Sequence, residues 1–258
     1  MDVVILCGGK GSRLSEETNI KPKPMVEING KPILWHIMKS YSNYGYNRFV
    51  LALGYKASYI KEYFYNYRVT SSDFTLKLDT NIPPVFFNPS EDKDWEITFV
   101  DTGEDTLKGG RIKRIEKYVK SDKFHLTYGD GVCDVNVADL ANFHSGSGKL
   151  GTVTAVHPPS RFGEMIINNS DVIEFDEKPQ MASGYINGGF FVFNKEIFSY
   201  LTEEENCDFE FGALQNIVKA KQLNAYKHDG FWQCMDNVRE RDYLDQLLKT
   251  NKAPWVKW

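Results

Sequence analysis

Near its start the chain reads Cys7-Gly8-Gly9-Lys10-Gly11-Ser12-Arg13, and a little further on Lys21-Pro22-Lys23-Pro24-Met25. Gly8, Gly9 and Gly11 let the main chain come close to a ligand with its N–H groups aimed at an anion. Arg13 and Lys23 add positive charge, and a guanidinium grips phosphate through two parallel hydrogen bonds. The chemistry these residues suit is the holding of phosphate. Two common phosphate loops do not fit. The dinucleotide fingerprint Gly-x-Gly-x-x-Gly matches Gly9 and Gly11 but meets Leu14 at its third glycine. The Walker pattern needs Lys-Ser/Thr where Gly11 is followed by Ser12-Arg13.

Two aspartates are candidates for a cation that accompanies phosphates. Asp130 lies in Tyr128-Gly129-Asp130-Gly131, at the end of an apolar run, and Asp236 lies just before the last helical pattern, in Phe231-Trp232-Gln233-Cys234-Met235-Asp236-Asn237. Magnesium takes one or two carboxylates together with phosphate oxygens, so two aspartates at strand ends on one sheet could share an ion. Taken alone, Asp236 fits a helix N-cap equally well. Glu177-Lys178-Pro179 follows one predicted strand and by itself is a surface-turn sequence; Asn187-Gly188-Gly189 opens another strand.

An alternation of strand and helix carries these residues. Val3-Val4-Ile5-Leu6 is a buried strand leading into the glycine loop. The stripe Ile33, Leu34, Ile37, Met38, Tyr41 and Tyr44 predicts a helix over 32–44. Residues 49–53 form a second strand, and Tyr59, Ile60, Tyr63, Phe64 and Tyr67 mark a second helix. This βαβ order implies a doubly wound, mainly parallel sheet, with ligands beyond the carboxyl ends of its strands. Residues 70–95, with Pro83-Pro84 and Asn88-Pro89, read as an insertion holding a strand or two. Strands are expected at 96–100, 124–128, 152–156, 164–167, 172–175, 189–193 and 223–227. Helices are expected at 110–119, 209–221 and 239–250. No linker or internal repeat interrupts the chain, so one domain over 1–258 is expected. Its C-terminal stretch, about 239–258, exposes Trp255 and Trp258 unless something covers them, which makes it a candidate for contacts in a homo-oligomer.

At 258 residues the chain buries one full core. A net charge of −4 argues against a broad nucleic-acid surface and leaves the basic loop as a local site. Cys7, Cys133, Cys207 and Cys234 make no Cys-x-x-Cys pair, so neither a zinc nor a redox motif is indicated, and free thiols suit a reducing cytoplasm. Met1 leads straight into a strand without a signal-peptide pattern, and no apolar run is long enough to span a membrane. A cytoplasmic protein with no membrane or nucleic-acid partner is expected.

The pattern Gly8-Gly9-x-Gly11-Ser12-Arg13-Leu14, with Lys23-Pro24-Met25 after it, resembles the N-terminal signature of the sugar-nucleotide pyrophosphorylases, nucleotidyltransferases that act on sugar 1-phosphates. Arg161-Phe162-Gly163, Glu177-Lys178-Pro179 and Asn187-Gly188-Gly189 resemble that family's sugar-side motifs, in its order, from Gly8 to Asp236. Further stretches resemble the bacterial branch that makes CDP-glucose from CTP and α-D-glucose 1-phosphate for dideoxysugars of surface polysaccharide such as O-antigen. These are Ser15-Glu16-Glu17-Thr18, the Lys21–Ile28 run, the Lys31–Met38 run, Val100-Asp101-Thr102-Gly103, Gly109-Gly110-Arg111, Tyr128-Gly129-Asp130-Gly131 and Ala253-Pro254-Trp255. Cys7 departs from the family's usual alanine.

The resemblance implies a Rossmann-like mixed, mainly parallel sheet flanked by helices. It implies catalytic roles for Arg13 and Lys23 and Mg²⁺ on Asp130 and Asp236. It places the nucleotide on Leu6, Gly8, Gly9, Gly11, Ser12, Thr102, Gly103, Gly110 and Arg111. The sugar phosphate falls to Gly163, Glu177, Lys178, Asn187 and Gly188. Two other readings fit similar residues: a nucleotide-sugar-dependent glycosyltransferase, whose usual Asp-x-Asp is absent at Asp130-Gly131-Val132, and a regulatory paralogue, which would lose charged residues that this chain keeps.

Overall fold

The computed structural model describes residues 1–11, 14–78, 81–87, 92, 94–158, 164–176 and 184–258. The main sheet is built from β1 (Asp2–Cys7), β2 (Arg48–Leu53), β3 (Glu96–Asp101), β4 (Lys123–Tyr128), β5 (Gly151–Val156), β6 (Ile186–Asn194) and β7 (Leu223–His228). Across it the order is β7-β5-β6-β4-β1-β2-β3. Only β6 runs against its neighbours β5 and β4; the other pairs are parallel.

β1 is buried on both faces, which is why its sequence is one apolar run and not an alternation. Val3 and Ile5 enter one core cluster and Val4 and Leu6 the other, so the strand ties two cores together. After β1 the chain moves to β2 and β3 on one side, then returns to β4 on the other. The order therefore reverses between β1 and β4, the crevice where doubly wound sheets bind ligands. Leu6 pairs with Tyr128, so the glycine loop after β1 and the turn after β4 leave the sheet side by side.

The helices differ from expectation mostly at their ends. α1 (Ile33–Ser42) begins after Pro32, which stands at its N-cap. The second helix stops as α2 (Ala57–Tyr65), and a separate short turn follows at Tyr67–Ser71. The helix expected over 110–119 is α3 (Lys108–Arg114) with a 3₁₀ turn at Glu116–Tyr118. Residues 209–221 divide into a π-helical turn, Phe209–Leu214, and a short α-helix, Gln215–Lys219.

α4 (Val137–Ser147) is absent from the sequence expectations. It buries Val137, Leu140, Ala141 and His144, and Asn136 caps it by accepting from the N–H groups of Ala138 and Asp139. Also unforeseen is a two-stranded ribbon, Gly131–Cys133 against Trp232–Cys234, too short to leave a periodic signature. The final α5 (Val238–Lys249) buries Leu244, and the tail after it folds back on its own chain. Trp255 is buried, stacked on Phe231 and edge-on to His36, so the chain itself supplies the cover that the sequence left open; Trp258 packs beside Trp35 and stays partly exposed. Among the described residues, no helix is long and apolar enough to cross a membrane.

Candidate active site

A cleft of about 540 Å³ opens at the carboxyl ends of β1 and β4, with Gly8, Gly9, Gly11, Lys23, Asp130 and Asp236 on its wall and floor. The three loop glycines are needed for three different reasons. A Cβ at Gly9 would meet nothing, so this glycine faces open space where a ligand can approach. A Cβ at Gly8 would lie 2.2 Å from the Arg111 guanidinium. Gly11 has φ +64, and its Cβ would press within 3.0 Å of Thr18 and Lys23. Carbonyls at the back of the loop are tied down: Gly8 accepts from the Tyr55 N–H and from Arg111, and Gly11 from the Leu14 N–H and the Thr18 hydroxyl.

Lys23 sits in a 3₁₀ turn, Lys23–Met25, that starts after extended Pro22. Its Nζ donates to Oδ2 of Asp130 at 2.7 Å and to Oδ1 of Asp236 at 2.6 Å. Burial works against the ammonium, but the charges and hydrogen bonds of the two aspartates outweigh it and hold the lysine pKa above its ordinary value.

The two aspartates do not end strands of one sheet, as the sequence suggested. Asp130 follows β4 of the main sheet; Asp236 follows Trp232–Cys234 of the small ribbon. The ribbon itself joins them, because Cys234 pairs with Gly131 and the Met235 N–H donates to the Asp130 carbonyl at 2.8 Å. Gly129 makes the turn possible: a Cβ there would lie 2.8 Å from the Leu6 carbonyl. Asp236 is not the cap of α5. That position belongs to Asn237, whose side chain accepts from the Glu240 N–H, while the Glu240 carboxylate accepts from the Asp236 N–H. The Asp236 carboxylate is thereby left facing the cleft. Cys234 lies beside it, and burial together with the neighbouring carboxylates lifts its thiol pKa to about 12.

Arg111 lines the cleft but spends its guanidinium on the protein. It donates to the carbonyls of Gly8, Leu53, Gly103 and Glu104 and to the Thr102 hydroxyl. Desolvation draws its pKa down, since none of these contacts is a carboxylate. Thr102, Gly103 and Gly110 stand behind this wall and not on it. Thr102 is fully buried and donates to Leu53; Gly110 packs on the Glu204 carbonyl.

On the opposite wall, the Asn187 amide donates to the Tyr128 hydroxyl at 3.2 Å and its Oδ1 accepts from the Gly189 N–H. Tyr128 in turn donates to Glu210, which also pairs with Lys108. The Gly188 carbonyl accepts from the Trp232 indole at 2.7 Å. Tyr128, Lys108 and Trp232 carry no role in the sequence reading although they line the cleft. Tyr128 and Trp232 stand inside the quoted aspartate motifs and Lys108 precedes Gly109-Gly110, which is the signal that marks them; nothing local marks Glu210. Ser12, Arg13, Gly163, Glu177 and Lys178 lie outside the described residues.

Residues 2–240 match the Nucleotidyl transferase family, and the chain belongs to it. The glucose-1-phosphate cytidylyltransferases of Salmonella typhimurium (strain LT2) and Salmonella typhi are each 47% identical to it over 259 residues, across 100% of this chain and 100% of theirs. The inositol-1-phosphate CTP transferase from T. maritima shares the fold, with a TM-score of 0.68 at 18% identity over 98% of this chain and 95% of that one.

Proposed function

We propose that the protein transfers a cytidylyl group from CTP to α-D-glucose 1-phosphate, giving CDP-glucose and pyrophosphate. The observation that carries this reading is the full-length 47% identity to the two Salmonella glucose-1-phosphate cytidylyltransferases. A phosphate oxygen of the sugar attacks the α-phosphorus in line, and the bond to the pyrophosphate oxygen breaks. The nucleophile is already an anion, so no base and no covalent intermediate is required. The barrier is anion against anion, and catalysis lies in positioning and charge neutralisation.

The residues divide accordingly. Gly8, Gly9 and Gly11 hold the nucleotide phosphates through main-chain N–H groups, with Leu6 and Ser12 beside them. Arg13 steadies the leaving pyrophosphate. Lys23 bridges the α-phosphate and the sugar phosphate, which Lys178 also binds. Glu177 and Asn187 read sugar hydroxyls, while Gly163 and Gly188 leave room for the hexose. Arg111 shapes the wall on the base side, with Thr102, Gly103 and Gly110 behind it as its support. Asp130 and Asp236 fit a hard divalent cation, since two carboxylate oxygens converge on one ammonium there. Mg²⁺ at this place would supply further neutralisation of phosphate charge. A homo-oligomer in the cytoplasm, feeding dideoxysugar synthesis, belongs to the same proposal.

Pyrophosphate release with glucose 1-phosphate and each of four NTPs tests it. Cytosine offers an amino donor where uracil offers a carbonyl, and a mismatched buried acceptor costs about 1–3 kcal/mol. The expected kcat/KM for CTP therefore exceeds that for UTP by roughly tenfold to a hundredfold. A higher kcat/KM with UTP or dTTP refutes the cytidylyl assignment. No pyrophosphate from any NTP, with release of a nucleoside diphosphate from a supplied nucleotide sugar and acceptor, favours a glycosyltransferase.

A further inference from the structure

Lys23 occupies the place of a cation. Its ammonium lies 2.7 Å from one carboxylate and 2.6 Å from the other. The lysine side chain is 10% exposed, that of Asp236 13% and that of Asp130 32%, so the lysine is the most enclosed of the three side chains. Mg²⁺ takes carboxylate oxygens at about 2.0–2.1 Å and would be held by these same two carboxylates. Two cations cannot share that space, because like charges a few ångströms apart repel strongly where water is scarce.

The lysine stem is long and flexible, and its course is set by the glycine loop. A Cβ at Gly11 would lie 3.0 Å from the Lys23 Cβ and 3.5 Å from its Cδ, so the stem runs directly against the phosphate cradle. An ammonium that lets go of Asp130 and Asp236 thus has the cradle as its neighbour.

The geometry points to an exchange of cations. Without nucleotide, Lys23 is the resident cation of the Asp130–Asp236 pair, and a divalent ion enters that pair only as the ammonium leaves. Nucleotide drives the exchange, because the triphosphate brings the ion and offers the ammonium new oxygens. The proposal rests on the reading of Asp130 and Asp236 as metal ligands given above. It adds that the free protein has little affinity for the metal alone and that Lys23 is the reason.

Mn²⁺ alone is the probe, read as loss of the free-ion EPR signal in nucleotide-free protein. Wild type binds weakly, in the millimolar range or above. Lys23→Met binds at least about tenfold more tightly, since each charge-assisted hydrogen bond removed from the pair is worth about that much. Lys108→Met removes the same charge from the cleft wall but leaves the pair occupied, and shifts the affinity by less than about threefold, as a more distant charge does. Adding Asp236→Asn to Lys23→Met abolishes the gain.

Micromolar binding of Mn²⁺ by nucleotide-free wild type overturns the exchange without any variant, and so does Lys23→Met binding no more tightly than wild type. Equal tightening in Lys108→Met, or a gain that survives Asp236→Asn, overturns it as well. Lys23→Gln repeats the test if Lys23→Met does not fold. If wild type binds tightly and Asp236→Asn abolishes that binding, the exchange fails while the metal reading stands. If Asp236→Asn changes Mn²⁺ binding neither alone nor with CTP present, the metal reading itself fails.

Discussion

Replacing Arg111 by Met should loosen the wall of the cleft by an amount that can be counted bond by bond. The guanidinium serves four carbonyls and one hydroxyl. The Leu53 carbonyl keeps the Thr102 N–H and hydroxyl, and the Gly8 carbonyl keeps the Tyr55 N–H. The Gly103 and Glu104 carbonyls, in contrast, have Arg111 as their hydrogen-bond donor. Two orphaned acceptors at about 1–3 kcal/mol each, at the lower half of that range because both are only partly buried, amount to about 2–4 kcal/mol. For a chain of this size that corresponds to a drop in Tm of roughly 5–15 °C.

Scanning calorimetry of nucleotide-free protein measures it, and a double-mutant cycle isolates the cause. Gly8→Ala pushes a methyl into the guanidinium in wild type, so it destabilises there and costs much less in the Arg111→Met background. A Tm unchanged within about 2 °C, or effects of Gly8→Ala and Arg111→Met that simply add, refutes the idea that Arg111 holds the loop.

Lys23→Ala should keep the fold and lower kcat by on the order of 10²–10³, as loss of a preorganised charge does; near-normal turnover in a steady-state assay would remove it from the mechanism. Asp236→Asn should remove most metal-dependent activity while leaving α5 intact, whereas Asn237→Ala should cost about 1 kcal/mol of stability with turnover preserved; the reverse pattern in paired melting and kinetic measurements would restore Asp236 as the cap. His125 and His36 are buried and held neutral, with pKa values lowered by desolvation from 6.5 to about 3 and about 4. The unfolded chain therefore binds more protons as pH falls below 6.5, and stability drops by up to about 1.4 kcal/mol per pH unit for each histidine down to about pH 4. Urea midpoints that stay flat from pH 7 to 4.5, or that fall as steeply in His125→Leu as in wild type, contradict this.

Much of the fold is legible in the chain because parallel strands buried on both faces are short apolar runs and their covering helices carry apolar stripes. β1, β2, β4 and α1 stand within a residue or two of where the pattern puts them. α4 escapes notice because its face mixes His144 and Ala141 with Val137 and Leu140, and a helix with a weak apolar stripe leaves a weak signal. The site is legible in part for the same local reason: the loop glycines, Lys23 and the aspartate between two glycines stand out within a few residues, and all of them line the cleft.

The residue types, the strand–helix alternation and the glycine-rich loop are thus determined by the sequence alone, since glycine content, charge and periodicity act over a single turn or strand. Tertiary structure decides the rest. Asp236 and its neighbour Asn237 are rival caps by local pattern, and the ribbon that sets Cys234 opposite Gly131 is what brings the Asp236 carboxylate to the cleft. Nothing near Arg111 says that its guanidinium is spent on carbonyls, or that Gly8 is glycine on its account. Trp255 looks like an exposed anchor until Phe231 and His36 close over it. In each case the deciding contact joins segments far apart in the chain, and the register between them is set by packing in three dimensions, which no local pattern records.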